Sequence, residues 1–292
     1  MRRALVTGSS GFVGRHMLDA LDRSGWATAG IDISHGYDAV GYFRTQSAHW
    51  DLVVHAAASA PHRAAIDSEP KHMARNLQLD AAMFDWAVRT GQERVLYLSS
   101  SAAYPMNVQT GPGWGRLHED IIDLDDAREP DAVYGWTKLT GERLAAEARR
   151  TGLPVTVVRP FSGYGEDQSE DFPFRALVER ARRREDPFVI WGDGNQVRDW
   201  IHIDDVVAGS LAVVESGTED PVNLCTGSGW SMAELAHIAC DQVGYRPHFD
   251  YLTDRPAGVA YRVGDPTRLH RLYGPEVTLP EGIARALLRA GP

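Results

Sequence analysis

Residues 4–14 read ALVTGSSGFVG, an apolar run that passes through Thr7 straight into glycines at positions 8, 11 and 14. No other segment narrows the fold as far. A short β-type run followed at once by glycine, then by a helical pattern over Phe12–Ser24, is how a strand–turn–helix unit of a parallel sheet begins. Glycines there permit a tight turn, a close approach of backbone to a pyrophosphate and close helix–strand packing. The helix N-terminus then faces the phosphate anions.

A glycine triplet alone fits many strand–helix turns, but its context here is more specific. Gly8, Ser10, Gly11, Phe12, Val13 and Gly14 follow the first strand candidate, Ala4–Thr7, while Asp32 and Ile33 close the second, Thr28–Ile33. A carboxylate at that place accepts hydrogen bonds from a ribose 2′-OH and repels a 2′-phosphate, so the expected cofactor is NAD rather than NADP. Strand candidates Leu52–His55, Arg94–Ser99 and Val155–Arg159 alternate with helical stretches Pro70–Thr90 and Ala132–Thr151, the order of a doubly wound α/β sheet. Gly25, Gly91 and Gly152 stand just past helical stretches, where a stop belongs.

Beyond Pro160 the elements shorten. Helices at Pro173–Arg184, Asp204–Glu215 and Met232–Val243 alternate with strands near Phe188–Trp191 and Val222–Leu224. The expected division is a Rossmann-like domain over residues 1–160, to which residues about 195–215 return, and a smaller C-terminal α/β lobe over 161–292. Asn107–Pro130 is the longest loop, of a length at which loops commonly act as lids.

Composition removes several function classes. The net charge of −10 argues against a nucleic-acid partner. No apolar run approaches the roughly 18 residues of a membrane span. The apolar stretch after Arg2 and Arg3 is too short for a signal-peptide core, so a cytoplasmic location is expected. Cys225 and Cys240 make neither a disulfide framework nor a metal set, and no metal is expected.

Tyr134 and Lys138 stand at i and i+4 of a helical stretch and so share a face. A tyrosine with an ordinary pKa of about 10 is a poor base near neutrality, and a neighbouring ammonium favours its phenolate. Such a pair can exchange a proton with a substrate hydroxyl or carbonyl. The fourth strand ends in Ser99-Ser100-Ser101, at the edge where open α/β sheets bind ligands. A serine hydroxyl there can bond the same substrate oxygen. The third ends in His55-Ala56-Ala57-Ala58, small residues that let a flat ring lie close. His55 itself reads as a packed core histidine.

In combination TGSSGFVG, Asp32, HAAA, SSSAAYP, YGWTK, RPFSGYG, WGDGNQVRDWIHIDD and PVNLCTG resemble the extended short-chain dehydrogenase/reductase family over nearly the whole chain. The nucleotide-sugar epimerases, dehydratases and reductases are the nearest part of it. The resemblance implies a Ser-Tyr-Lys catalytic set of Ser100, Tyr134 and Lys138, with Ser101 the alternative serine. It implies that Gly8, Ser10, Gly11, Phe12, Val13, Gly14, Asp32, Ile33, His55, Ala56, Ala57, Asn76, Ser99, Pro160 and Ser162 line the NAD site together with Tyr134 and Lys138. Ser100, Ser101, Tyr104, Ser162, Arg198 and Arg255 are implied at a UDP- or GDP-linked sugar. Arg198 and Arg255 match phosphate-binding arginines, whose planar fork suits phosphate oxygens. Arg63, with His62, lies on the loop leaving the third strand, where a cation could pair with a sugar carboxylate. Asp204, before a helical run, reads as an N-cap.

Two departures narrow the chemistry. Dehydratases of this type carry Asp-Glu after the catalytic serine or threonine, and here Ser101-Ala102 follow. Decarboxylases carry a glutamate, and 3,5-epimerases and fucose synthases a cysteine, where Ala102 stands. What remains is hydride chemistry at one carbinol carbon, with Tyr134 moving the proton. The expected activity is therefore epimerisation of a nucleotide sugar at C4 through a 4-keto intermediate. A reductase of a 4-ketosugar or another small carbonyl compound, or a non-catalytic NAD-binding sensor, would share the same fold. The resemblance also implies a homodimer through the helices Pro70–Thr90 and Ala132–Thr151.

Overall fold

The computed structural model describes residues 1–59, 70–255 and 258–289. Strands are numbered in chain order. The main sheet is parallel and six-stranded. It comprises β1 (Arg3–Thr7), β2 (Ala27–Ile31), β3 (Leu52–His55), β4 (Val95–Leu98), β5 (Val155–Pro160) and β9 (Val222–Leu224), in the order β2-β1-β3-β4-β5-β9. A parallel sheet must be covered on both faces, and alternation along each strand supplies both. Ala4, Val6, Leu52, Val54, Leu96 and Leu98 meet Met17 and Leu21 of the Phe12–Arg23 helix, and Val206 and Val213 of the Ile203–Ser216 helix. Leu5, Val53, Val95 and Tyr97 meet Phe43, Met83, Trp86 and Ala145 on the opposite face. The chain thus comes back from its second half twice: as the Ile203–Ser216 helix and as the outer strand β9.

The remaining strands lie apart. β8 (Val197–His202) joins β6 (Ser162–Tyr164), β10 (Gly229–Ser231) and β12 (Tyr261–Arg262), while β7 (Phe188–Trp191) pairs in parallel with β11 (Phe249–Leu252). The helices Pro173–Arg182, Met232–Gln242 and Leu279–Leu288 close a third core on Phe174, Phe188, Trp200, Leu235 and Ile283.

Several local readings change. Hydropathy does not signal β8, because Arg198 and Asp199 sit inside it. Asp199 is nevertheless fully buried, its carboxylate accepting from the backbone N–H groups of Thr226, Gly227 and Gly264. The short Ala39–Thr45 helix is likewise absent from the sequence reading; Asp38 caps it at the Val40 and Gly41 amides. β2 stops at Ile31 because the Asp32 carboxylate turns back to the Ser34 amide and opens a 3₁₀ turn. Asp204 is not the N-cap of its helix: His202 holds that place, its ring accepting from the Asp204 amide. The stretch 107–130 contains short 3₁₀ turns. It is tied down by a Pro105–Pro130 bridge and by the Leu117 amide donating to the Val263 carbonyl.

No helix among the described residues is long and apolar enough to cross a membrane. The order β2-β1-β3 sends the chain in opposite directions from β1. The crevice between the β1 and β3 carboxyl ends is therefore the switch point, where such sheets take ligands.

Candidate active site

The glycine turn and the end of β3 form one wall of that crevice. Gly8 has φ +67°, and a Cβ on it would lie 2.7 Å from the Ala57 Cα. A Cβ on Gly14 would lie 2.0 Å from the Gly8 carbonyl oxygen. No side chain at either position fits without moving backbone. Gly11 caps the Phe12–Arg23 helix without a side-chain bond, so its first amides are left to face a ligand. The Asp32 carboxylate accepts from the Ser10 amide at 3.0 Å, joining the end of β2 to the turn. Burial raises the Asp32 carboxyl, but the hydrogen bonds from Ser34 and Ser10 and the charge of His35 outweigh it, and the group is held below its ordinary value. Ile33 is exposed beside it. Phe12 and Val13 are partly buried in the opening turn of the helix. These residues fit a dinucleotide pyrophosphate and ribose: they offer a Cβ-free cradle, a row of helix-start amides and one ionised carboxylate.

Tyr134 stands in the first turn of the Ala132–Arg150 helix, half-buried, with Lys138 one turn on. The Lys138 ammonium lies 5.7 Å from the Tyr134 ring centroid and donates to the Leu98 carbonyl at 2.9 Å. That bond pins the helix to the end of β4, where Ser99, Ser100 and Ser101 follow. A Cβ on Gly135 would lie 2.3 Å from the Ala102 carbonyl oxygen, so the Tyr134 turn sits directly on the serine segment. The Ser100 hydroxyl accepts from the Ala102 amide, opens a 3₁₀ turn and stays partly exposed, whereas Ser101 is buried.

Among the other expected site residues, Ser99, Tyr104 and His55 are turned to internal partners. The Ser99 hydroxyl donates to Glu142 at 2.5 Å, away from any ligand. Tyr104 is wholly buried, its hydroxyl donating to Asn223 and accepting from Arg159; burial, partly offset by the Arg159 charge, drives this phenol far up. It shapes the serine segment from beneath rather than meeting a substrate. The His55 ring is sealed between Thr7 and Asp80, so only the neighbouring Ala56 and Ala57 backbone borders the crevice. Asn76 binds both backbone groups of Ser59 and fixes the chain leaving β3. Pro160 ends β5, and Ser162 is partly buried in β6, which pairs with the strand carrying Arg198. Arg198 is largely buried, one guanidinium nitrogen donating to the Val197 carbonyl. Arg255 is exposed and lies 5.8 Å over the Trp191 ring. His62 and Arg63 lie outside the described residues.

Sequence reasoning passes over Thr7, Asp80, Tyr97 and Glu142, which form the polar groundwork of the site. One signal was available: Asp80 is an acid in the apolar stripe of its helix, among Leu79, Met83 and Phe84.

The sequence profile of the NAD dependent epimerase/dehydratase family matches residues 4–225. A dTDP-4-dehydro-6-deoxy-D-allose reductase of Streptomyces bikiniensis is 26% identical, the alignment covering 92% of this chain and 89% of the relative. MoeE5, solved in complex with UDP-glucuronic acid and NAD, is 28% identical with a TM-score of 0.82, over 98% of this chain and 97% of its own. The UDP-glucose 4-epimerase of Thermotoga maritima, solved with UDP-glucose, is 25% identical with a TM-score of 0.82, over the same shares.

Proposed function

The chain belongs to the NAD-dependent epimerase/dehydratase family, and we propose that within it this protein inverts C4 of a nucleoside-diphosphate sugar. The observation that carries the reading is a single candidate proton relay at the carboxyl end of β4, on the same edge of the sheet as the glycine turn. Lys138 is hydrogen-bonded to Leu98 and Gly135 packs on the Ala102 carbonyl, which brings the Tyr134 turn against the segment carrying the partly exposed Ser100, while Ser101-Ala102-Ala103 offers no second acid, base or thiol. Bound NAD would accept a hydride from one carbinol carbon and give it back. Tyr134 takes the C4 hydroxyl proton and later returns it, Ser100 bonds the same oxygen, and Lys138 holds positive charge beside the phenol. Proton abstraction at C3 or C5 would need a side chain that position 102 lacks.

The sugar nucleotide is proposed to be UDP- or GDP-linked, with Arg198, Arg255 and Ser162 toward its diphosphate. Arg63 is proposed as the partner of a sugar carboxylate should the sugar be a uronic acid; MoeE5 was solved with both UDP-glucuronic acid and UDP-glucose, so both sugar types belong in the test. The test is incubation of the purified protein with UDP-glucose, UDP-glucuronic acid and GDP-mannose, followed by NMR of the sugar. A C4 epimer formed without added NAD(H), together with NAD released on denaturation, is the expected result. Consumption of stoichiometric NADH by a 4-ketosugar, with no epimer from any hexose, would replace it with the second reading, a ketosugar reductase. The Streptomyces bikiniensis relative favours that second reading.

A further inference from the structure

Lys71 and Lys138 are the only lysines in a chain that otherwise uses arginine. Lys138 is almost wholly buried, so its charge needs compensation. The carbonyl of Leu98 supplies a hydrogen bond but no charge. Glu142, one turn along the same helix, is already gripped by Arg159 through two bonds of 2.9 and 2.7 Å and by Ser99. Tyr97, from β4, places its ring 5.1 Å from the Lys138 nitrogen and donates its hydroxyl to Asp80 at 2.6 Å. His55, from β3, reaches the other Asp80 oxygen at 3.1 Å and bonds Thr7 at 2.9 Å, and Thr7 in turn accepts from the Ala57 amide. Burial raises the Asp80 carboxyl, but the His55 hydrogen bond, the charges of Lys138 and His55 and the Tyr97 hydrogen bond hold it below its ordinary value, so Asp80 is a buried negative charge that Lys138 feels. The fit is cut into the backbone: a Cβ on Gly141 would lie 1.8 Å from the Tyr97 hydroxyl and 2.7 Å from an Asp80 oxygen.

We propose that Asp80 is a positioning residue of the reaction, the buried counter-charge that keeps Lys138 an ammonium beneath Tyr134 and, through His55 and Thr7, ties it to the wall that faces the cofactor. The proposal rests on the reading of Tyr134 and Lys138 as the proton relay. It adds that the relay's charge is set from the Pro70–Thr90 helix, by a residue that touches neither substrate nor cofactor.

Two lysines make the test direct. Protein labelled with ¹³Cε-lysine gives two side-chain signals, which Lys138→Met assigns. Asp80→Asn keeps the shape but removes the charge, and the Lys138 signal should then lose its proton about one pH unit or more lower than in the wild type, in the direction expected when an opposite charge is removed. Tyr97→Phe breaks the same Tyr97–Asp80 hydrogen bond while leaving the charge, and its titration should follow the wild type. If Asp80→Asn titrates as the wild type does, or if both variants shift alike, Asp80 is a packing residue only and the proposal falls. Should Asp80→Asn give no folded protein, Asp80→Asn/Lys138→Met is expected to recover it, because no lone charge is left buried. A double variant that also fails to fold overturns the proposal. The NMR readout needs no turnover, so its failure is distinct from that of the proton-relay reading, which Tyr134→Phe tests by itself.

Discussion

In the proposed relay Tyr134 alone moves the proton: the Ser100 hydroxyl accepts from the Ala102 amide and keeps its own proton to bond the substrate oxygen, and Lys138 donates to the Leu98 carbonyl. Tyr134→Phe should therefore lower turnover about 10²–10⁴-fold with sugar-nucleotide affinity unchanged, measured by kinetics beside calorimetric titration. Near-normal turnover removes the phenol from the chemistry. Asp32 makes the complementary case for the cofactor. Its ionised carboxylate stands at the end of β2 bonded to the Ser10 amide, so NADH should bind more tightly than NADPH, and Asp32→Asn should narrow the gap. Parallel fluorescence titrations check it, and tighter NADPH binding by the wild type would contradict the placement. Glycines and the Tyr–Lys spacing are legible in sequence because only a few residue types satisfy them. The directions of Ser99 and Tyr104 are not, because each is decided by partners far along the chain: Glu142 for the one, Asn223 and Arg159 for the other.

Those partners join four elements. Ser99 follows β4, Glu142 is on the Ala132–Arg150 helix, Arg159 is on β5 and Asn223 on β9; Glu119, from the 107–130 stretch, accepts the Asn223 amide. Arg159 and Glu142 are both almost fully enclosed. Glu142→Gln leaves the guanidinium buried without its charge partner and should cost about 3–5 kcal/mol in denaturant unfolding; a loss below about 1 kcal/mol would show that water relaxes into the gap. A second tie behaves differently with pH. Asp167 accepts from Arg15 at 3.0 Å and lies 3.1 Å from the His16 ring, linking the glycine-turn helix to the chain after β6. Burial raises the Asp167 carboxyl, but those hydrogen bonds and charges overcome it and hold it low. Its stabilisation is thus complete above the ordinary carboxylate value of about 4 and is lost as pH falls through the folded-state value. The stability gap between the wild type and Asp167→Asn should be largest near neutrality and close in acid; a gap that widens as pH falls would reverse the assignment. The parallel alternation of β1 to β5 was readable from hydropathy. β8 was not, since its burial of Asp199 depends on the amides of Thr226, Gly227 and Gly264, which come from much later in the chain.

The two longest helices, Pro70–Thr90 and Ala132–Arg150, lie side by side over one face of the main sheet, and their inner faces supply Met83, Trp86, Ala145 and Ala148 to its core. Their outer faces are not uniformly polar. Trp136 is 37% and Val88 39% exposed, and Ala74 and Ala81 are small exposed positions at helical spacing from Val88. Small residues let helix backbones approach, and a large ring beside them fills the groove between ridges. Each helix is roughly 30 Å long at 1.5 Å per residue. Two such helices from each copy would form a four-helix face able to bury about 800 Å² per partner, the size of a standard stable interface. An interface there would leave the β1–β3 crevice open, since the crevice opens at the carboxyl edge of the sheet and not on its helical face. We therefore propose a homodimer through this face, with one complete site in each copy. Light scattering at micromolar concentration should give twice the chain mass. Trp136→Glu combined with Ala81→Glu should give the monomer mass, because each carboxylate would be desolvated against an apolar surface. Melting of the two forms separates assembly from folding: the monomeric variant should unfold cooperatively and still bind NADH. A wild-type monomer at these concentrations would leave the outer stripe as ordinary exposed apolar surface.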